Sequence, residues 1–306
     1  MIPLFNINNY KIDTASLGNH LHGPIVDEFV EEFCSYIGAT YGCALNSATN
    51  AIFLAFERES PQEVTIPSVL PPVVYNALHH AGSTLKFKDD TAWVGGSYVL
   101  HDFGDYKVID SAQKVESGQF KREAADDDLM IFSFYPTKPV GGMDGGIIVS
   151  NNKEKIDYFK QRSLNGMSFA ENNWERKQIS MGWKMYMNSC QAFFALQNLK
   201  LVSKKNSHIE KVRRSYNEAF GLKNTSNHLY RINVRNRSEV IDKLSKKKIT
   251  TGIHYTPLHM QRPYSQEVDL PSSEKDGATT LSIPFNEKLS IEIPYIVKEI
   301  KNVARF

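Results

Sequence analysis

Residues 131–146 read Ile-Phe-Ser-Phe-Tyr-Pro-Thr-Lys-Pro-Val-Gly-Gly-Met-Asp-Gly-Gly, and 147–149 follow as Ile-Ile-Val. An apolar run of strand length stops at Ser133, turns at Pro136, presents Lys138 and passes through four glycines before a second apolar run begins. Short apolar runs punctuated by Pro and Gly fit buried strands, and the glycines free the backbone between them. The pattern fits a lysine held out of a sheet toward a ligand. A glycine-rich turn with a solvated lysine accounts for this stretch alone equally well.

The rest of the chain alternates helix and strand. In 24–37, Val26, Phe29, Val30, Phe33 and Ile37 share one helical face, with Pro24 at the start and Gly38 after the end. A short strand at 43–45 meets Asn46-Ser47-Ala48-Thr49, and 50–56 runs on as a helix. At such a junction Ser47, Thr49, free backbone N–H groups and the positive helix end form an anion site, with phosphate the first candidate. Plain N-capping by Ser47 or Thr49 is the other reading. Strands are expected at 64–67, 84–87, 97–100 and 106–109, with a helix at 71–82. Asp110 then stands at the carboxyl edge of a mainly parallel sheet, where open α/β sheets bind ligands; a helix N-cap again competes.

Beyond the glycines, helices are expected at 153–164 and 185–204, a polar loop at 165–180, and a solvated acidic turn at 126–128. Apolar density breaks near 206, which divides the chain into a large domain, 1–206, and a small α+β domain, 207–306. The latter carries helices at 208–220, 238–248 and 291–303, a strand at 229–234, and a polar loop after His259. A net charge of +2 gives no electrostatic case for nucleic acid or an anionic membrane. There is no apolar run of membrane-spanning length and no secretory pattern at the N-terminus. Cys34, Cys43 and Cys190 lack metal-ligand or redox spacing, so no metal site is expected and a reducing cytoplasm fits.

In this order the pieces resemble the DegT/DnrJ/StrS sugar-nucleotide aminotransferases. The resemblance rests on residues 23–29, Asn46-Ser47-Ala48-Thr49, Ile66-Pro67-Ser68, Ile109-Asp110-Ser111-Ala112-Gln113, and the stretch from Ser133 to Lys138 with Asp144-Gly145-Gly146. Residues 252–259 and 281–284 extend it into the second domain. It implies an α/β fold of the fold-type-I pyridoxal phosphate (PLP) transferases: a mainly parallel mixed sheet with helices on both faces, plus the small C-terminal domain. Lys138 would be the Schiff-base lysine and proton shuttle, and Asp110 the partner of the pyridine nitrogen. Gln113 would lie near the ring hydroxyl. Ser47, Ala48, Thr49 and Ser133 would hold the phosphate, and His254, Tyr255 and His259 would face the substrate.

Four features depart from that family. Ala48 replaces a glycine, and Pro71 stands where an aromatic stacks on the cofactor ring. Lys184 stands where an asparagine reaches the neighbouring subunit's phosphate. The chain between Phe87 and Asp110 is short, and 101–105 is too short a link for parallel strands, so a locally altered sheet is expected. The resemblance implies a homodimeric enzyme of deoxyamino-sugar and polysaccharide biosynthesis. It would convert a keto group of a nucleotide-linked deoxysugar to an amine, with glutamate as donor. The alternatives are a PLP-dependent sugar dehydratase of the same group and a non-catalytic binding or regulatory descendant.

Overall fold

In the computed structural model, which describes residues 1–59, 63–168, 170 and 173–306, the lysine turn joins two adjacent antiparallel strands inside a sheet. The first half supplies α1 (Ile25–Ile37), β1 (Tyr41–Leu45), α2 (Ala48–Glu57), β2 (Glu63–Pro67), α3 (Pro72–His80), β3 (Thr84–Lys88), β4 (Tyr98–Asp102), β5 (Lys107–Asp110), α4 (Gln119–Glu123), β6 (Leu129–Ser133) and β7 (Gly146–Ser150). After α5 (Lys153–Ser163) come α6 (Ser189–Leu199), α7 (Val202–Phe220), β8 (Tyr230–Asn233), α8 (Arg237–Lys246), α9 (Pro271–Thr279), β9 (Thr280–Ile283) and α10 (Ile293–Val303).

The strand order β1-β7-β6-β5-β4 makes a mixed sheet. β1, β6 and β5 run one way, while β7 and β4 run against their neighbours. β2 and β3 form a parallel pair, and β2 packs beside β4. Side chains of β6 alternate between two cores. Leu129 and Ile131 join Ala51, Leu54, Phe56 and Phe159 on one face, and Met130 and Phe132 join Phe29, Phe33 and Leu196 on the other. Both faces are thus covered by helices, which is why β6 and β7 read as unbroken apolar runs. Replacing buried Phe33 by Ala would cost about 3–5 kcal/mol. α1 forms as its pattern predicts, closed by Gly38 in the left-handed region at φ +83°.

A third core lies around β8 and β9, with Ile209, Tyr216, Tyr230, Leu244 and Ile300. Ile2 packs on it, and the Phe285 N–H donates to the Leu4 carbonyl, so the first residues of the chain join its last hundred.

Several expectations differ in detail. The 185–204 helix is two helices, because the chain turns at Lys200 and Leu201 between α6 and α7. α7 then runs through residue 206 without a break. The polar stretch after His259 contains α9, started by Pro271 and packed through Ser273 and Gly277. Asp128 is not a solvated turn residue; it is buried and accepts from the Lys107 and Ala125 N–H groups. Within the 165–180 loop, Met167 bridges Gln178, and residues 169, 171 and 172 lie outside the described set.

The shortened segment is a hairpin. β4 and β5 pair antiparallel, with a register shift at Val99/His101, and the Phe103 N–H closes onto the Tyr106 carbonyl at 2.9 Å. Gly104 sits at φ +91° in this turn. Reversing β4 removes the need for a crossover, which resolves the link too short for parallel strands.

Candidate active site

Strand register explains how residues distant in sequence meet. Leu45 lies opposite Gly146, Gly146 opposite Ser133, Ile131 opposite Asp110, and Asp110 opposite Tyr98. Because β1, β6 and β5 share a direction, the residues following them fall at one edge of the sheet. Residues 47–49, 133–138 and 110–113 are brought together in this way.

The α2 end is built as the sequence suggests. Ser47 is the N-cap, its hydroxyl accepting from the Asn50 N–H at 3.2 Å. The N–H groups of Ala48 and Thr49 lie in the first turn, where a helix has no carbonyl to offer them. Gly146 passes so close that a Cβ there would collide with the Ala48 nitrogen. Ser133 ends β6, with its hydroxyl accepting from the Tyr135 N–H at 3.3 Å. Pro71 is the N-cap residue of α3 and makes no side-chain hydrogen bond there.

The lysine turn is fixed at its base. Phe134 N–H donates to the Gly145 carbonyl at 2.8 Å, Gly142 N–H donates to the Phe134 carbonyl at 2.7 Å, and Phe134 and Val140 are fully buried. Lys138 is held on this rigid loop. Burial lowers its pKa from 10.5 to about 8, opposed by the nearby Asp110 carboxylate. Asp110 is 4% exposed. Its Oδ1 accepts from the Ala112 N–H at 2.9 Å and its Oδ2 from the Tyr98 hydroxyl at 3.1 Å. Burial pushes its pKa up, against the lowering effect of the Ala112 N–H, Lys138 and Tyr98.

Gln113 is held at both ends of its amide. Its Oε1 accepts from the Gly95 N–H at 2.8 Å, and its Nε2 donates to the Tyr255 hydroxyl at 2.9 Å. Tyr255 therefore joins the group, on a segment that pairs with β9 through Gly252 and Ser282. His254 Nδ1 lies 2.8 Å from the Ser282 hydroxyl. Burial, then the charges of Lys138 and Arg231, hold its pKa at about 4, so it is neutral at pH 7.

His259 is not part of this group. It is 6% exposed, with Nδ1 2.6 Å from the Ser68 hydroxyl and Nε2 3.4 Å from Glu274, so it ties the 252–259 segment to the end of β2. Lys184 is exposed and bridges Leu164. Its charge acts on His22 rather than on the Lys138 cluster.

Sequence reasoning missed Trp93 and Tyr98, which contact the site from the short segment, and His228. His228 stacks on Phe5 at 5.2 Å, and burial followed by the Lys138 charge drives its pKa down. An aromatic pair five residues apart, at the start of the strand that precedes the one ending in Asp110, was the available signal for Trp93 and Tyr98. Among the described residues no group of three or more His, Cys, Asp or Glu is placed to hold a metal ion.

A sequence profile of the DegT/DnrJ/EryC1/StrS aminotransferase family matches residues 6–89 and 108–301, and passes over 90–107. A Campylobacter jejuni protein named UDP-4-amino-4,6-dideoxy-N-acetyl-beta-L-altrosamine transaminase is 26% identical, the alignment covering 96% of this chain and 94% of that protein. The spore coat polysaccharide biosynthesis protein SpsC of Bacillus subtilis is 27% identical over 96% of this chain and 93% of its own. The solved structure of ntda from Bacillus subtilis with bound cofactor PMP superposes with a TM-score of 0.80 at 20% identity, covering 94% of this chain and 79% of that one.

Proposed function

The chain belongs to the DegT/DnrJ/EryC1/StrS aminotransferase family, and from that premise we propose that it is a PLP-dependent enzyme converting a keto group of a nucleotide-linked deoxysugar to an amine, with glutamate as donor. One observation carries this reading. The turn after β6 brings Lys138, whose pKa burial pushes down to about 8, near the buried Asp110 carboxylate at the sheet edge where the α2 N-terminus opens.

The residues present fit the cofactor. Bound PLP supplies an aldehyde that captures amines and a pyridinium that withdraws electrons from the attached carbon. Lys138 has the two properties an aldehyde-binding lysine needs: partial neutrality near physiological pH and a rigid backbone. The same amine would take a proton from substrate and return it. Asp110 still has acceptor capacity beyond its two bonds, because a carboxylate offers about four lone-pair sites. It favours a positive charge beside it. The first turn of α2, with Ser47, Thr49 and Ser133, suits a phosphate dianion. Gln113 and Tyr255 brace one another across the join between the sheet edge and the C-terminal region, and neutral His254 is available to hydrogen-bond a sugar hydroxyl.

The enzyme works as a homodimer in the cytoplasm, its two domains meeting near residue 206. Support for the dimer comes from exposed Trp174, Ile179, Met181 and Trp183. Beside Trp174 lies a cavity of about 740 Å³ lined by His22, Arg176 and Tyr186. Lys184, exposed near His22 of this cavity, would contact the phosphate bound in the partner subunit. The cytoplasmic assignment is compatible with free cysteines, of which Cys34 and Cys43 are buried with pKa values pushed up to about 12. It also fits the finding that no helix among the described residues is long and apolar enough to cross a membrane.

The test is a panel of keto-sugar nucleotides incubated with PLP and glutamate and read by mass. Exchange of the keto oxygen for an amine is expected. Loss of water without nitrogen gain identifies a dehydratase, and no reaction with any donor identifies a binding protein.

A further inference from the structure

We propose that residues 93–98, within the stretch the family profile passes over, form the positioning element of this site, with Tyr98 the residue that orients the Asp110 carboxylate. The proposal rests on the reading of Lys138 and Asp110 as cofactor residues.

Three contacts carry it, each to a different member of the site. The Tyr98 hydroxyl donates to Asp110 Oδ2 at 3.1 Å. The Gly95 N–H donates to Gln113 Oε1 at 2.8 Å. The Trp93 indole lies parallel to the Tyr255 ring, 4° apart in plane with centroids at 6.4 Å. Gln113 in turn donates to the Tyr255 hydroxyl, so the contacts close into a ring around one segment.

The segment is itself fixed. Trp93 packs on Tyr98 at 4.5 Å, and its indole N–H donates to the Val69 carbonyl at 3.1 Å, two residues before Pro71. Gly95 adopts φ +91°, and its carbonyl accepts from the Ser226 hydroxyl at 2.8 Å; a Cβ at Gly95 would overlap that hydroxyl. The Ser97 hydroxyl donates to Glu123, which also pairs with Lys114.

The reversed strand makes the arrangement possible. As the edge partner of β5, β4 places Tyr98 directly opposite Asp110 in the antiparallel register. The Ala112 N–H fixes one carboxylate oxygen, and Tyr98 fixes the other and therefore the plane of the group. Without the hydroxyl, a carboxyl already raised by burial loses one of its opposing influences.

The experiment compares wild type with Tyr98→Phe, which keeps the ring and removes the donor. Two readouts are taken: the PLP dissociation constant by equilibrium dialysis, and the pH midpoint of the bound-cofactor absorbance. Loss of one hydrogen bond to a charged group predicts binding weaker by about tenfold to a hundredfold. The midpoint moves by about half a unit or more, equivalent to about threefold in the protonation constant. A merely structural tyrosine would leave the midpoint in place. Val99→Thr, at an exposed neighbour on β4, is the control and matches wild type in both readouts. If Tyr98→Phe does not fold, Tyr98→Met, similar in bulk and also without a donor, takes its place under the same criteria. A donor-less variant with wild-type affinity and midpoint overturns this proposal alone. Wild-type protein that takes up no PLP overturns the functional reading and this proposal together.

Discussion

The parallel pair β5–β6 and the antiparallel hairpin β4–β5 share Asp110, yet they contribute differently. β6 and the turn beyond it provide Lys138 and Ser133, and β5 ends in Asp110 and leads to Gln113. These strands are buried on both faces, so their ends are held to a narrow geometry. β4 and the residues leading into it add no charged group to the site. The exposed Val99 and tight Gly104 turn mark this segment as an edge, and its part is to hold Asp110, Gln113 and Tyr255 through Tyr98, Gly95 and Trp93. The proposed reacting groups, Lys138 and Asp110, follow or end strands the core fixes, while the proposed role of the short edge element is to orient Asp110.

Substitutions can sharpen this contrast or break it. Asp110→Asn should reduce amine transfer by about 10²- to 10³-fold, the scale of losing a preorganised electrostatic partner, measured as kcat with the best sugar nucleotide. A loss confined to KM would mean that Asp110 only binds.

The second expectation concerns pH. Burial lowers the Lys138 pKa from 10.5 to about 8, so the rate at which apo-protein captures PLP should rise with pH to a midpoint near 8. Between the two values the unfolded chain binds more protons than the folded one, so Lys138 also makes stability rise with pH across that window. A capture midpoint near that of a free lysine would remove the argument from burial.

The smallest effect belongs to the hairpin. Gly104→Ala meets no steric obstacle but must adopt φ +91°, so it should destabilise the protein by about 1–2 kcal/mol in urea unfolding while the Lys138 chemistry persists. If amine transfer fell as far as in Asp110→Asn with the fold intact, the hairpin would be more than a support.

Much of this was legible in the sequence because it depends on local signals. α1 follows from apolar spacing between Pro24 and Gly38, and the lysine turn from Pro and Gly punctuation between two apolar runs. The short 101–105 link already implied an altered sheet, though not which strand was reversed. Side-chain partnerships across the fold were not legible. His254 and His259 stand five residues apart in one motif, yet one lies by Lys138 and the other is buried against Ser68, a distinction set by which element packs over each. α9 was hidden because its buried face uses Ser273 and Gly277, which carry no apolar signal. Tyr98 looked like an ordinary strand residue until antiparallel pairing set it opposite Asp110.

The most direct test treats purified protein with PLP, reduces it with borohydride, and maps the modified peptide by mass spectrometry. Lys138 should carry a single cofactor-derived mass increment, accompanied by loss of yellow colour, and Lys138→Ala should show neither. Label that is absent, or that falls on another lysine such as the half-buried Lys205 whose Nζ donates to the Pro139 carbonyl, would contradict the assignment of Lys138.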